Sequence, residues 1–150
     1  MQSSSQNTNQ KLPQRERLKS KKKIKQLFLS GKSYTSFPVQ MVYQIEHNIE
    51  KNTIQVGFSV SKRNFKHAVD RNHIKRRMSE AYRLQKQNLK NSFQKHNLVL
   101  TVMFIHKGGE KSTYKIIEEK IFILLQRLEE TIEKSIDTNQ EVSNNKSDNP

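Results

Sequence analysis

The sequence predicts an α+β fold, an α/β sandwich in which one small mixed sheet is backed by helices. Two segments, residues 39–45 and 54–60, alternate apolar and polar residues as half-buried strands do. A third segment, residues 98–105, is almost wholly apolar, which is typical of a strand covered on both faces. Three other segments carry apolar residues every three or four positions, which predicts helices that cover the sheet.

The first predicted helix spans residues 19–30, and Gly31 is a suitable C-terminal stop. Its apolar residues share one side: Ile24, Leu27 and Phe28. Residues 33–37 predict a very short strand before the two alternating ones. A polar link around residues 47–52 joins those two strands, which predicts that they pair with each other as an antiparallel hairpin.

A second helix is predicted over residues 68–89, and a third begins at a Ser112 or Thr113 cap after the apolar strand. The apolar positions of the second helix are Ile74, Met78, Ala81 and Tyr82. Those of the third helix are Tyr114, Ile117, Ile121, Leu124, Leu128 and Ile132. The predicted order of elements is therefore α-β-β-β-α-β-α.

Charge and polarity are unevenly distributed along the chain. The formal net charge is +14, yet residues 1–90 contain 20 Lys and Arg against 5 Asp and Glu, whereas residues 91–150 contain 8 against 9. Such a concentration of positive charge is typical of a nucleic-acid-binding surface, with an anionic membrane as the rival partner. The polar ends predict a folded domain of residues 13–134 between disordered tails of residues 1–12 and 135–150.

Several chemistries are disfavoured by residue type. The chain has no cysteine for disulfides or thiolate metal sites, and its histidines make no i, i+4 pair that could bind a metal ion. It has no glycine-rich phosphate loop, and the paired glutamates of the last helix lie opposite its apolar side. These residue types predict a protein that has no catalytic or metal-binding side chains of its own. With no membrane-spanning run and no secretory signal, the sequence also predicts that the protein is cytoplasmic.

The candidate functional segment is the basic stretch from Lys62 to Arg83. On a helix, at about 100° per residue, its polar residues fall on an arc beside the apolar side. They are Asn72, Lys75, Arg76, Ser79, Arg83 and Lys86. Asp70 and Glu80 are the only acids from Lys62 to Lys90, against ten Lys and Arg. A solvated helix usually alternates charges of both signs, so this arc is predicted to bind RNA phosphates and 2′-hydroxyls.

A series of short motifs, spread over about residues 15–132, is shared with one known family. In the basic segment they are Val60-Ser61-Lys62-Arg63, Ala68-Val69, Arg71-Asn72 and Ile74-Lys75-Arg76. Upstream they are Arg17-Leu18-Lys19, Leu27-Phe28 and Gly31-Lys32-Ser33. Together these motifs resemble the protein subunit of bacterial ribonuclease P, and the resemblance covers everything except the tails.

The resemblance implies a fold and a function. The fold contains a left-handed β-α-β crossover, against the general preference. The function is that of a subunit of a ribonucleoprotein endoribonuclease that removes the 5′ leader of precursor tRNA. In such an enzyme the catalytic RNA performs the chemistry with Mg²⁺ held mainly by its phosphates. The protein is implied to be a monomer that binds the RNA in a 1:1 complex and also binds the leader.

The resemblance also assigns residues to two surfaces. The surface for the catalytic RNA comprises Lys62, Arg63, Lys66, Arg71, Asn72, Lys75, Arg76 and Arg83. The surface for the single-stranded leader lies between the first helix and the sheet and comprises Ile24, Phe28, Lys32 and Tyr43. Aromatic faces stack on unpaired bases, although a Phe at helical spacing with Ile24 and Leu27 is more often a core residue.

The chain departs from the family pattern at a few positions. Ile24 replaces a frequent aromatic residue, and His73 replaces the last Arg of an Arg-Asn-Arg triplet. Ser79 replaces a frequent basic residue, and the loop at residues 64–67 is longer than in many members and lacks their glycine. A mostly neutral His attracts phosphate less than Arg does, so these changes are expected to alter affinity more than role.

Two other interpretations remain open on composition. A structural RNA-binding protein of the ribosomal type shares the charge and the fold class, but it does not require the motif from Lys62 to Arg76 beside a leader-binding helix. The second interpretation is a non-specific DNA-binding or membrane-surface protein. A membrane binder places large apolar residues opposite its basic face for insertion, whereas here that face is needed against the sheet.

Overall fold

The computed structural model describes residues 12–47 and 52–147, without the side chains of Gln94 and residues 136–147. Within these residues four strands form one mixed sheet: β1 (Lys32–Ser36), β2 (Val39–His47), β3 (Thr53–Val60) and β4 (Leu98–His106). The helices that accompany the sheet are α1 (Lys21–Ser30), α2 (Ala68–Gln94) and α3 (Tyr114–Ser147). The predicted α+β class and the order of elements are confirmed.

The order of strands in the sheet is β1-β2-β4-β3, so β4 lies between the two alternating strands. It pairs antiparallel with β2 and parallel with β3, and its last residue, His106, stands opposite both Val39 and Val60. The predicted hairpin between β2 and β3 is therefore wrong, and the antiparallel hairpin is formed by β1 and β2. The physical reason is burial. A strand that is apolar on both faces is best placed in the centre of the sheet, where both of its faces are covered by helices.

The two faces of the sheet are covered differently. The inner face packs against α2 and α3, and the predicted apolar positions of both helices are buried there, with Tyr114 partly buried. The outer face is crossed by α1, which covers a smaller cluster of Leu18, Leu27, Val42 and Met103. Because side chains alternate along a strand, Met41 and Tyr43 point to the inner face and Val42 to the outer face.

The N-terminal segment runs along β3 and places a carboxylate under α2. The backbone N–H of Leu18 donates to Val56 O (2.9 Å). A 3-10 turn (Gln14–Glu16) precedes it, and the Glu16 carboxylate lies 2.8 Å from Lys86 Nζ and 2.8 Å from Lys90 Nζ. Burial by itself raises the pKa of Glu16, but hydrogen bonds and charges from the two lysines outweigh burial and lower it.

The structure differs from the predicted domain boundaries at both ends. Leu12, which the sequence places in the N-terminal tail, is buried in the inner core. The last helix continues to Ser147, so the described part of the predicted tail of residues 135–150 is helical. Neither glycine nor proline occurs between Tyr114 and Ser147, so no strong helix breaker ends the helix earlier. Residues 1–11 and 148–150 lie outside the described residues.

Replacing Glu16 by Gln is expected to lower the free energy of unfolding by about 1–3 kcal/mol, because two lysines lose a buried anionic partner. Chemical denaturation of the variant and the parent near neutral pH measures this difference. A carboxyl whose pKa is lowered by folding stabilises above its unfolded value of 4.5, so the difference should shrink as pH falls below that value. Equal unfolding free energies near neutral pH would contradict a stabilising role for the pair.

Candidate nucleic-acid interface

The loop of residues 61–67 connects β3 to α2 and contains the first basic residues of the candidate functional segment. Asn64 Nδ2 donates to Lys107 O (2.8 Å), just after the end of β4. Phe65 is buried, and its ring lies edge-on to that of His106 with the centroids 5.8 Å apart. These contacts fix the loop to the end of β4. They leave three cations exposed to solvent: Lys62, Arg63 and Lys66.

Arg71 closes the same loop onto the first turn of α2. Its Nη1 donates to Phe65 O (2.7 Å) and to Lys66 O (2.8 Å). Both acceptors are neutral carbonyls, so the guanidinium group keeps its charge uncompensated, and it has further N–H donors for an RNA phosphate. Arg71 therefore holds the loop in place as well as adding positive charge to the predicted RNA surface.

The first turns of α2 present three further polar side chains to solvent. Lys75 is half-buried, whereas Asn72 and Arg76 are exposed. Among residues 12–47 and 52–147, these three side chains and the three loop cations have no hydrogen-bond or ion-pair partner. We call these six residues the cationic surface: Lys62, Arg63, Lys66, Asn72, Lys75 and Arg76. The helix N-terminus beside them adds its own positive potential.

Farther along α2 the positive charge is neutralised within the protein. Arg83 Nη2 lies 2.6 Å from Glu80 Oε1, and the arginine side chain is only 11% exposed. Lys86 and Lys90 are paired with Glu16. The structure thus corrects the assignment of Arg83, which already has a carboxylate partner. Sequence reasoning missed the role of Glu16 because that residue precedes the whole sheet in the chain.

The residues predicted for the leader lie partly on the outer face. On one side of α1, Lys23 Nζ donates to Gln55 Oε1 (3.0 Å). Ile24 and Phe28 are one helical turn apart on the other side, where Ile24 and Ile105 pack on the same outer cluster. Phe28 is 52% exposed, so it is not a core residue and its ring is available to a ligand.

Tyr43 does not share that surface. It is buried on the inner face, where its ring stacks on that of Tyr34 with the centroids 5.6 Å apart. Burial, with the neighbouring Tyr34, raises the pKa of Tyr43 to about 12. Strand alternation places Val42 on the outer face instead, so the structure corrects Tyr43 from a leader contact to a core residue. The structure corrects Lys32 in the same way: it is exposed, but it stands opposite Tyr43 on β1 and therefore points to the same face of the sheet.

Neither a metal-ligand cluster nor a membrane-spanning helix occurs in the part of the chain that the structure describes. No three of its His, Asp or Glu side chains are grouped so that they could hold a metal ion. None of its helices is long and apolar enough to cross a bilayer. What the described surfaces offer a ligand is uncompensated positive charge, together with an exposed aromatic ring on the outer face.

Fold and surfaces together define a small, strongly basic α+β domain whose unpaired cations are grouped on one loop and the start of one helix, which is typical of nucleic-acid-binding proteins. A family model described as Ribonuclease P matches residues 12–129. The chain therefore belongs to the family of bacterial ribonuclease P protein components, as its sequence motifs indicated.

Known members of the family resemble the chain over most of its length. The ribonuclease P protein component of Porphyromonas gingivalis W83 is 33% identical over 109 residues, which are 71% of this chain and 78% of that protein. The component from Clostridium novyi is 35% identical over 112 residues, 75% of this chain and 92% of the relative. The structure of the Staphylococcus aureus RNase P protein superposes on this chain with a TM-score of 0.59 at 23% sequence identity. The superposition covers 75% of this chain and 94% of that protein, so the two share the same fold.

Replacing Lys75 and Arg76 by Ala is expected to weaken RNA binding and to reduce its salt dependence. The slope of log affinity against log salt should fall by about 1 for each cation removed, because fewer counterions are released. Fluorescence anisotropy with a labelled RNA at several salt concentrations measures the slope. Lys115→Ala on α3 is the matched control and should leave the slope unchanged. A control that lowered it equally would show that the binding surface had been misplaced.

Burial of His106 is expected to make the protein sensitive to mild acid. Its Nε2 lies 2.9 Å from Ser112 Oγ, and burial lowers the pKa of the ring. The unfolded chain therefore binds the proton more readily, and the free energy of unfolding should fall as pH drops below 6.5, the ordinary value. Thermal denaturation between about pH 7 and about pH 5.5 checks this against His106→Gln, which cannot titrate there. The variant should lose less stability, and identical losses would contradict the prediction.

Proposed function

We propose that the chain binds the catalytic RNA of ribonuclease P and the 5′ leader of precursor tRNA, and assists Mg²⁺-dependent removal of the leader to give the mature 5′ end of the tRNA. The observation that supports this most directly is the cationic surface, whose charges have no carboxylate partner among the described residues. Membership of the family makes ribonuclease P RNA the natural polyanion to supply that partner.

The cationic surface would act by charge and position. Its five Lys and Arg side chains come from one fixed loop and the first turns of one helix, so they can meet the phosphates of one RNA region together. Arginine can bind a phosphate through two parallel N–H groups, and lysine adds a more mobile charge. The amide of Asn72 both donates and accepts, which suits a 2′-hydroxyl or a base edge.

The outer face would hold the single-stranded leader. Phe28 offers an exposed ring on which an unpaired base can stack, and such a contact is worth about 1–3 kcal/mol. Ile24 beside it offers only apolar contact, because it has no aromatic ring. Lys32 is exposed at the start of β1, but it stands opposite the inward-facing Tyr43, so it points away from the outer face and would not contact a leader bound there.

The chemistry would belong to the RNA subunit. The described side chains of this chain do not form a metal-binding group, so the catalytic Mg²⁺ ions would be held mainly by RNA phosphates. The protein's own contribution would then be to reduce repulsion between RNA and substrate and to position the leader. We infer one protein for each RNA, since a single copy presents both surfaces.

Reconstitution with a bacterial ribonuclease P RNA tests this function. At low Mg²⁺, adding the parent protein should restore removal of the 5′ leader, because fixed protein cations replace part of the ionic screening. The Lys75→Ala, Arg76→Ala double variant should restore much less, whereas Lys115→Ala should match the parent. Cleavage that is the same with and without protein at every Mg²⁺ concentration would show that the proposed function is incorrect.

A further inference from the structure

Phe37 is a second exposed aromatic residue, and the leader surface described above does not use it. It lies in the turn between β1 and β2, and 67% of its surface is exposed, more than for Phe28. A single exposed apolar residue is common in proteins and by itself indicates nothing. The significance of Phe37 comes from what surrounds its turn.

The turn is attached to the loop that carries the basic residues. The backbone N–H of Lys107 donates to Pro38 O (2.8 Å), next to Phe37. The carbonyl of the same Lys107 accepts a hydrogen bond from Asn64 Nδ2 (2.8 Å). Lys107 thus joins the turn to the loop of residues 61–67, so the phenyl ring is exposed at the same end of the sheet as the loop cations of the cationic surface.

A strip of the outer face lies between this turn and α1. Its residues stand opposite one another across the sheet and are all at least partly exposed: Thr35, Gln40, Ile105 and Ser59. On one side the strip meets α1, where Ile24 and Ile105 share the outer cluster. On its other side the strands end at the Phe37 turn and the basic loop. Val42, under α1, is three residue steps along β2 from Val39, at the turn, which is about 10 Å of strand.

We propose that Phe37 is a second stacking position for an unpaired base of the leader, on the opposite side of this strip from Phe28. The half-exposed Ile105 and Gln40 would form the floor under an extended leader strand. An aromatic face with cations close by is the combination that binds single-stranded nucleic acid. The inference rests on the proposed function. Phe37 would supply the second aromatic contact that Ile24, which has no ring, does not.

Charge distinguishes Phe37 from the other exposed phenylalanine rings. Phe122 on α3 is 49% exposed, but it lines a shallow cavity with Glu118 and Glu119, whose carboxylates repel a phosphate backbone. Phe37 lies in a turn that is joined to Lys107 and, through Lys107, to the loop that carries the basic residues. The two residues are therefore suitable for comparison, since both present an exposed phenyl ring and the neighbouring charges are opposite in sign.

The test compares the complete protein–RNA enzyme assembled with parent protein, Phe37→Ala or Phe122→Ala. Binding is measured to precursor tRNAs with leaders of increasing length and to mature tRNA, which has no leader. Phe37→Ala should weaken binding of the longer-leader substrates by about 5- to 150-fold and leave mature tRNA unaffected. Phe37→Trp should restore the affinity and Phe37→Leu should not, since only the first supplies an aromatic face. Phe122→Ala should have no effect.

Other outcomes overturn the inference and are separable from failure of the proposed function. If Phe28→Ala weakens leader binding and Phe37→Ala does not, the second stacking position is refuted and the proposed function stands. If Phe37→Ala weakens binding of the protein to the catalytic RNA and affects mature and precursor tRNA alike, the ring contacts that RNA instead of the leader. If the parent enzyme shows no dependence on leader length, the proposed function itself fails.

Discussion

The position of β4 is the constraint on which both surfaces depend. This strand is apolar on both faces and lies between β2 and β3, so its end meets the ends of two other strands. That position places His106 and Lys107 where the ends of the three strands meet. His106 packs against Phe65 of the basic loop, and Lys107 joins the same loop to the turn after β1. Had β2 and β3 formed the predicted hairpin, the basic loop and the Phe37 turn would not have shared one connector.

Three partly buried cations in the second half of α2 are neutralised by carboxylates, whereas the cations of the basic loop and of the first turns of the helix are not. Arg83, Lys86 and Lys90 are largely buried and have carboxylate partners. An unpaired charge in those places would incur a large desolvation penalty. The cations of the loop and of the first turns of α2 are more exposed, and water screens them at little cost.

Sequence periodicity predicted the order of the helices and strands correctly. Spacing alone identified the buried sides of α2 and α3, because tertiary packing and helical period agree there. It failed where partners are distant in the chain, as in the pairing of β2 and in the contact of Glu16 with α2. The error at Tyr43 was avoidable, since strand alternation already placed it on the same face as Met41. The exposure of Phe28 was not predictable, because Leu27 fills the core position at the same helical turn.

The departure from the family pattern at His73 can also be interpreted in physical terms. Lys111 Nζ donates to His73 Nδ1 (2.9 Å) and lies 3.8 Å from an Asp70 carboxylate oxygen. A positive charge is therefore present beside position 73, but it comes from the segment before α3, and Asp70 partly offsets it. The chain thus retains cationic character on this side of α2 without an arginine at position 73. Because the ion pair with Asp70 is long and exposed, its attraction is weak, and an RNA phosphate can compete for Lys111.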